Sequence, residues 1–411
     1  MSDHIETNSH KDRETAYTSV RTALEEFARN KDIAALAGNA DAQFALLMKQ
    51  VDDLNDDGEF EEAARLLDDE GDRIDRLAEF HLKKQLGQDR LRNDPNAAAA
   101  RLIKETYRKA PPGGVFWAVD TLAEKWRDDG DAAGDIFALR VALSLAKANY
   151  DHRAKGKKHL EASALFTLGW GHLRIAERST NDRHLTVAKT AFEAAVSKTN
   201  KAKDPVNWSS RQDGLGNVFS EMGRRTADPE QLRAAVTAFR AALEIDLKTN
   251  AVGVKYRWNN LGISLCRLGE FTQAQEPLEE AEDALHTALS LENKGTDPLI
   301  WSTIKSNLAL AQRWLGEVAH DLTKLDEARA GYAVCERLNF ESKAPFKWAR
   351  LQWNIADLAL ARFRLDPDPA LLAEARHHVG KARAFFVDGS DYQTERCDEL
   401  LTKIDAADPN R

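Results

Sequence analysis

Trp258-Asn259-Asn260-Leu261-Gly262, then Leu268-Gly269-Glu270-Phe271 and Ala274, is the stretch whose reading decides the fold of this 411-residue chain. Its apolar and small residues recur at three- and four-residue spacing, the period of one helix face. A glycine inside a helix costs about 1 kcal/mol relative to alanine. Gly262 therefore implies a neighbouring helix that approaches too closely for a larger side chain.

The same small-residue pair recurs along the chain at Leu168-Gly169, Leu215-Gly216, Leu261-Gly262, Leu308-Ala309 and Ile355-Ala356, in steps of 47, 46, 47 and 47 residues. Seventeen residues after each pair stands a leucine that opens a second helix: Leu185, Leu232, Leu278, Leu325 and Leu372. An alanine follows at Ala188, Ala235, Ala281, Ala328 and Ala375, and then a larger apolar residue at Phe192, Phe239, Leu285, Tyr332 and Val379. Two registers that keep one period predict five regular helix-turn-helix units over 158–388. The small residue is a gap on one helix, and the larger one is the plug that fills it. Asp204-Pro205, Asp297-Pro298 and Pro345 suit helix starts, with aspartate as the cap and proline in the first turn. Trp208, Trp301 and Trp348 each follow three residues later and are expected to be core plugs. Polar runs such as Thr226-Ala227-Asp228-Pro229 mark turns.

Fainter copies extend upstream over 40–157. Leu122-Ala123, Trp126 and Gly130 precede Leu139 and Ala142; Pro95 precedes a helix-forming run from Ala97 to Lys109; Gly58-Glu59-Phe60-Glu61-Glu62-Ala63 matches Gly269 to Ala274. The pattern predicts an all-α solenoid of about eight helical hairpins in one continuous array. An acidic tail and leading helix over 1–39 (the helix near 12–29) and a trailing helix over 389–411 (near 391–405) would cap its apolar ends.

The Trp258 stretch, with its W-x2-L-G core, glycine turn and following alanine, resembles the tetratricopeptide repeat. The period differs, since these units run 47 residues rather than 34, and is similar to a longer bacterial variant. The resemblance implies a right-handed superhelix whose first helices line an inner groove for a partner's peptide or helix. It also implies that asparagines at the register of Asn260, Asn307 and Asn354 hold a bound peptide's backbone through their two-headed amides. The alternative is that these amides bond the neighbouring helix and serve packing.

Composition narrows the function classes. With 43% hydrophobic and 30% charged residues and only 11 Pro and 22 Gly, the chain is a folded one rather than low-complexity or collagen-like. No apolar run reaches the ~18 to 20 residues of a membrane span, and Met1 to Lys11 lacks the apolar core of a secretory signal. Cys266, Cys335 and Cys397 are too few and scattered for a disulfide framework or thiolate zinc site. A reduced, cytoplasmic protein without cofactor or membrane partner is expected. The net charge of −9 resides in residues 1–100, which carry 23 acidic and 13 basic side chains, leaving the remainder near neutral. That distribution argues against a nucleic-acid binder, which needs a basic face to displace counterions.

Motifs for chemistry are sparse. Asp53-Leu54-Asn55-Asp56-Asp57-Gly58 resembles the start of a calcium loop, but the position of the closing bidentate carboxylate is Ala64. The eleven histidines show no H-E-x-x-H and no zinc-binding i, i+4 pair. No G-x-S-x-G, phosphate-binding glycine loop or paired Cys/His signature occurs. The chain is therefore expected to be a non-catalytic interaction scaffold or adaptor. The alternative is a regulatory receptor whose superhelix closes on a small peptide or metabolite. Candidate groove residues are Tyr256, Asn260, Arg267, Asn307, Arg313, Trp314, Arg350, Trp353 and Asn354. Arginine supplies a planar fork for carboxylates, and Trp and Tyr supply rigid contact area, so an acidic or C-terminal peptide segment is the matching ligand chemistry. Homo-oligomerisation is left open.

Overall fold

The computed structural model describes residues 79–408, except 112, 250, 252, 293 and 296, together with isolated positions between 49 and 65. The Gly58 to Ala63 motif, the leading helix near 12–29 and most of the Asp53 to Gly58 string fall outside the described residues. The chain divides into two compact units, Met1–Ala110 and Pro111–Arg411, a boundary inside the stretch 40–157. In the first unit, residues 79–91 are helical and α1 spans Pro95–Lys109, with the Asp94 side chain accepting from the Ala97 amide. Asp89 is fully buried there and is neutralised by Arg92 at 2.8 Å and Arg101 at 2.7 Å.

The second unit is helical throughout its described elements. Six consecutive pairs follow one another: α2 (Val115–Ala133) with α3 (Ile136–Asn149), α4 (Lys158–Ala176) with α5 (Arg183–Ser197), and α6 (Pro205–Thr226) with α7 (Pro229–Thr249). Then come α8 (Val254–Thr272) with α9 (Gln275–Ser290), α10 (Pro298–Ala319) with α11 (Leu322–Arg337), and α12 (Pro345–Leu365) with α13 (Pro369–Phe386). A final helix, α14 (Asp391–Ala407), packs on α13 and α12 where a trailing cap was expected.

Both sequence registers take the packing roles that their residue types dictate. The second-helix leucines Leu185, Leu232, Leu278, Leu325 and Leu372 are all buried, as are Phe192, Phe239, Leu285, Tyr332 and Val379. Each such side chain contributes roughly 1.5–3 kcal/mol through burial. The plug meets the gap directly: a Cβ added at Gly216 would lie 2.8 Å from the Phe239 ring, and one at Gly262 2.5 Å from Leu285 Cγ. Trp208, Trp301 and Trp348 differ from expectation: all three are half-buried, with Lys201 and Lys294 over one ring face of the first two at 4.5 and 5.3 Å, and Trp348 packed at the edge of the core between α12, α13 and α14.

Caps set the helix boundaries. Asp135, Asp297, Asp321, Asp368 and Ser390 accept from backbone amides at the starts of α3, α10, α11, α13 and α14. At the ends of α6, α8 and α10, the left-handed caps are the non-glycine residues Ala227, Gln273 and His320, with φ near 50°. That recurrence at one register is a shared turn geometry, held because Leu232, Leu278 and Leu325 pack into the glycine one turn earlier.

The path of the six pairs returns on itself. α12 packs on α2, and the N-terminus of α14 is tied to the end of α4. The Tyr392 backbone amide and Ser390 hydroxyl donate to the Arg178 carbonyl at 3.3 and 3.1 Å, and the Gln393 side-chain amide donates to the Glu177 carbonyl at 3.2 Å. Arg178 itself stacks over Phe346 of α12 at 4.0 Å. Gly134, at φ 72°, lets Phe385 come so close that an added Cβ would lie 3.0 Å from its ring.

Candidate functional site

The first helices face inward. Residues of α4, α6, α8, α10 and α12, with Asp131 near the end of α2, line one concavity of about 250 Å³. Its wall is polar because first-helix positions that avoid the Leu–Phe core are occupied by amides, hydroxyls and charges. Asn260, Asn307 and Asn354 all reach it, with Arg267 and Arg350. A smaller hollow of about 70 Å³ shares Arg267, Asn307, Arg350 and Asn354 with it and adds Trp314, Trp353 and, from α14, Arg396.

Much of this wall is a ladder between the inward helices of successive pairs, each acceptor standing one residue before the position equivalent to its donor. Asn260 donates to Asp213 at 2.9 Å, Arg267 to the Ser220 hydroxyl at 2.8 Å, and Arg178 to Asp131 at 2.8 Å, each across 47 residues. Asn307, which is buried, donates to the Asn259 side chain at 2.8 Å. At Asn260 and Asn307, then, one amide head bonds the neighbouring helix while the residue still lines the cavity. Asn354 carries no such bond among the described residues.

The electrostatics follow from crowding. Against the penalty of burial, Arg174 and Arg178 hold the Asp131 carboxyl well below the usual carboxylate range. Burial likewise opposes ionisation of Glu221, but Arg224, Arg267 and Arg225 bring it down to about 2. Burial and the nearby Arg224 push Arg267 down to about 10. Arg350 is solvent-accessible within the concavity, yet the protein atoms around it and Arg224 still push it down. Arg396 is pushed down by burial, Arg224 and Arg350. Lys347 is pushed down by burial, with Asp131 opposing and Arg174 and Arg350 adding. The cavity is therefore crowded with cations whose fields disfavour one another.

The remaining expected residues divide. Trp353 lines the small hollow, its indole N–H donating to the Arg396 carbonyl at 3.3 Å and its ring lying 4.0 Å beneath the Arg396 guanidinium. Trp314 also reaches that hollow and carries Arg313 over its ring at 3.7 Å. Arg313 does not project into the concavity as its register predicts. It is 2% exposed, with Nη2 at 3.0 Å from Asp357 and 3.1 Å from Glu317, because an acid on the next pair captures it. Tyr256 is 38% exposed and lines neither cavity, with Lys255 5.3 Å from its ring. Sequence reasoning missed Asp131, Arg174, Glu221, Lys347 and Arg396. Only the 47-residue step from Arg174 to Glu221 hinted at any of them; Arg396 belongs to a helix outside the repeat pattern.

No group of three or more His, Cys, Asp or Glu that could hold a metal occurs among the described residues, and no described helix is long and apolar enough to cross a membrane. Among the described residues, fold and site together define a second unit of consecutively packed helix pairs around a polar, arginine-rich cavity. No protein-family model and no curated protein matches the chain. Among solved structures it is similar to the crystal structure of BtubC (BKLC) from P. vanneervenii, at 18% identity, over 62% of this chain and 92% of that chain, with a TM-score of 0.39.

Proposed function

We propose that this chain is a non-catalytic interaction module of the tetratricopeptide type, a right-handed superhelix of about eight hairpins that adapts a partner protein by holding its peptide segment. The observation that carries the reading is the shared concavity. Amides of one register and guanidinia of neighbouring turns line a single polar cavity of about 250 Å³. An acidic, free-carboxyl chain end fits those groups, with amides on its backbone and an arginine fork on its carboxylate.

A second reading is favoured by the return of α12 and α14 onto α2 and α4, which leaves room for a short ligand rather than a through-running helix. In that reading the protein is a regulatory receptor that closes on a small peptide or metabolite. The test is a panel of synthetic peptides with acidic free or amidated C-termini, read by fluorescence anisotropy against the wild type and Asn354→Ala. Selective binding of free-carboxyl peptides, weakened in the variant, supports the adaptor. Absence of selection across the panel, or equal affinity for both proteins, overturns it. Compaction in small-angle scattering on addition of a small metabolite alone would mark the receptor.

A further inference from the structure

We propose that the small hollow between α8, α12 and α14 is a binding site for an oxyanion carrying two or more negative charges, such as a phosphoryl group. The proposal rests on the concavity being a binding site, not on a peptide occupying it.

The argument begins with a charge count. Arg224, Arg267, Arg350 and Arg396 line the hollow, against two acids, Glu270 and Asp357. Asp357 is taken by Arg313 at 3.0 Å. Glu221, just beyond the wall, serves three guanidinia at once: those of Arg224 and Arg225 directly and that of Arg267 at 3.9 Å. Arg350 and Arg396 make no ion pair among the described residues, their acids being the more distant Glu177 and Glu270; Arg396 also has the Gln393 amide oxygen at 3.2 Å and the Trp353 ring.

Folding has thus concentrated four guanidinia that are far apart in sequence around a hollow lined by only two acids, one of them already taken. A singly charged carboxylate would leave an excess. A phosphate monoester brings about −1.5 to −2 charge and three strong acceptor oxygens, enough to take forks from more than one arginine. Burial lowers the proton affinities of Arg267, Arg350 and Arg396, and in each case another arginine adds to it. The neighbours add hydrogen-bonding capacity in the Asn354 amide and a rigid flank in Trp353. Because Arg396 lies on α14, Arg350 on α12 and Arg267 on α8, an anion held by all three would also cross-link the returning end of the chain to its middle.

The experiment titrates the full chain with inorganic phosphate at pH 7.5 and follows the melting temperature and calorimetric binding, with sodium chloride at matched ionic strength as reference. The expected result is a saturable rise in melting temperature with phosphate and none with chloride. Arg350→Ala and Arg396→Ala should each weaken phosphate binding about 10- to 150-fold. An outer-surface control, Arg240→Ala, should bind as the wild type does. Arg350 makes no ion pair to lose, so Arg350→Ala in phosphate-free buffer should melt at or above the wild-type temperature, which separates loss of the site from loss of the fold. Equal shifts in phosphate and chloride, or an unchanged response in both cavity variants, would overturn the site. No peptide enters this measurement, so its failure leaves the peptide reading standing, and failure of the peptide panel leaves this one standing.

Discussion

The side-chain amide of Asn260 donates to the Asp213 carboxylate at 2.9 Å, and Asp213 stands one residue before the position equivalent to Asn260 in the preceding repeat. A position that resembles a ligand-holding asparagine is thus also a rung between adjacent helix pairs. Asp213 is buried, and burial raises its proton affinity against the pull of Arg257 and Asn260. Removing the amide leaves that carboxylate short of a partner, so Asn260→Ala should cost about 1–3 kcal/mol of stability. Asn354→Ala, with no rung to break, should stay within about 0.5 kcal/mol while losing ligand affinity. Chemical denaturation alongside binding measures both, and an equal stability loss in the two variants would contradict the distinction.

Gly216 sits under the Phe239 ring, where an added Cβ would lie 2.8 Å away. Gly216→Leu should therefore cost about 1–3 kcal/mol through overpacking. Because each pair contacts mainly its neighbours, the damage should stay local. Hydrogen exchange should show lost protection in α6 and α7 and little change in α12 and α13.

Asp120 provides a pH prediction. Burial, with Glu124 adding and Thr167 and Asn149 opposing, pushes its carboxyl up to about 6 from 3.8. The folded state thus prefers the protonated form. The associated stability is complete below about pH 4 and is lost as pH rises through 6, a swing of at most about 3 kcal/mol. Asp120→Asn should be more stable than the wild type at pH 7.5 and closely similar at pH 4. Denaturation midpoints at the two pH values decide this; an offset of the same size at both would refute it.

The return of the chain depends on α14. Cys397, Leu400 and Ile404 are buried against Phe386, Leu360 and their neighbours, while Ser390 and Gln393 hold the end of α4. Ending the chain at residue 390 would uncover that apolar face, at roughly 1.5–3 kcal/mol for each large side chain exposed. Small-angle scattering of the truncated protein should show a larger radius of gyration than the full chain, with the early pairs still helical by circular dichroism. An unchanged radius would mean that contacts of α12 with α2 suffice for closure.

The repeat itself was legible before any coordinate. Gly216 and Gly262 on one helix and Phe239 and Leu285 on the next announce a gap and its plug, because a glycine that lowers helix stability is retained only where backbone must approach a side chain. Caps at Asp297 and the prolines that follow such residues were readable for the same local reason. The resemblance to the tetratricopeptide repeat implied that Asn260, Asn307, Asn354, Arg267 and Arg350 line an inner face, and these five do line one cavity. It could not say that Arg313 would be captured by Asp357, 44 residues further on, or that Tyr256 would face away from both cavities. Those outcomes depend on which partner lies across an interface, and one repeat does not contain its neighbour. The meeting of Arg224, Arg267, Arg350 and Arg396 was least accessible of all. It depends on α14 packing back against α12 and bonding the end of α4, and no local pattern of residues carries that contact.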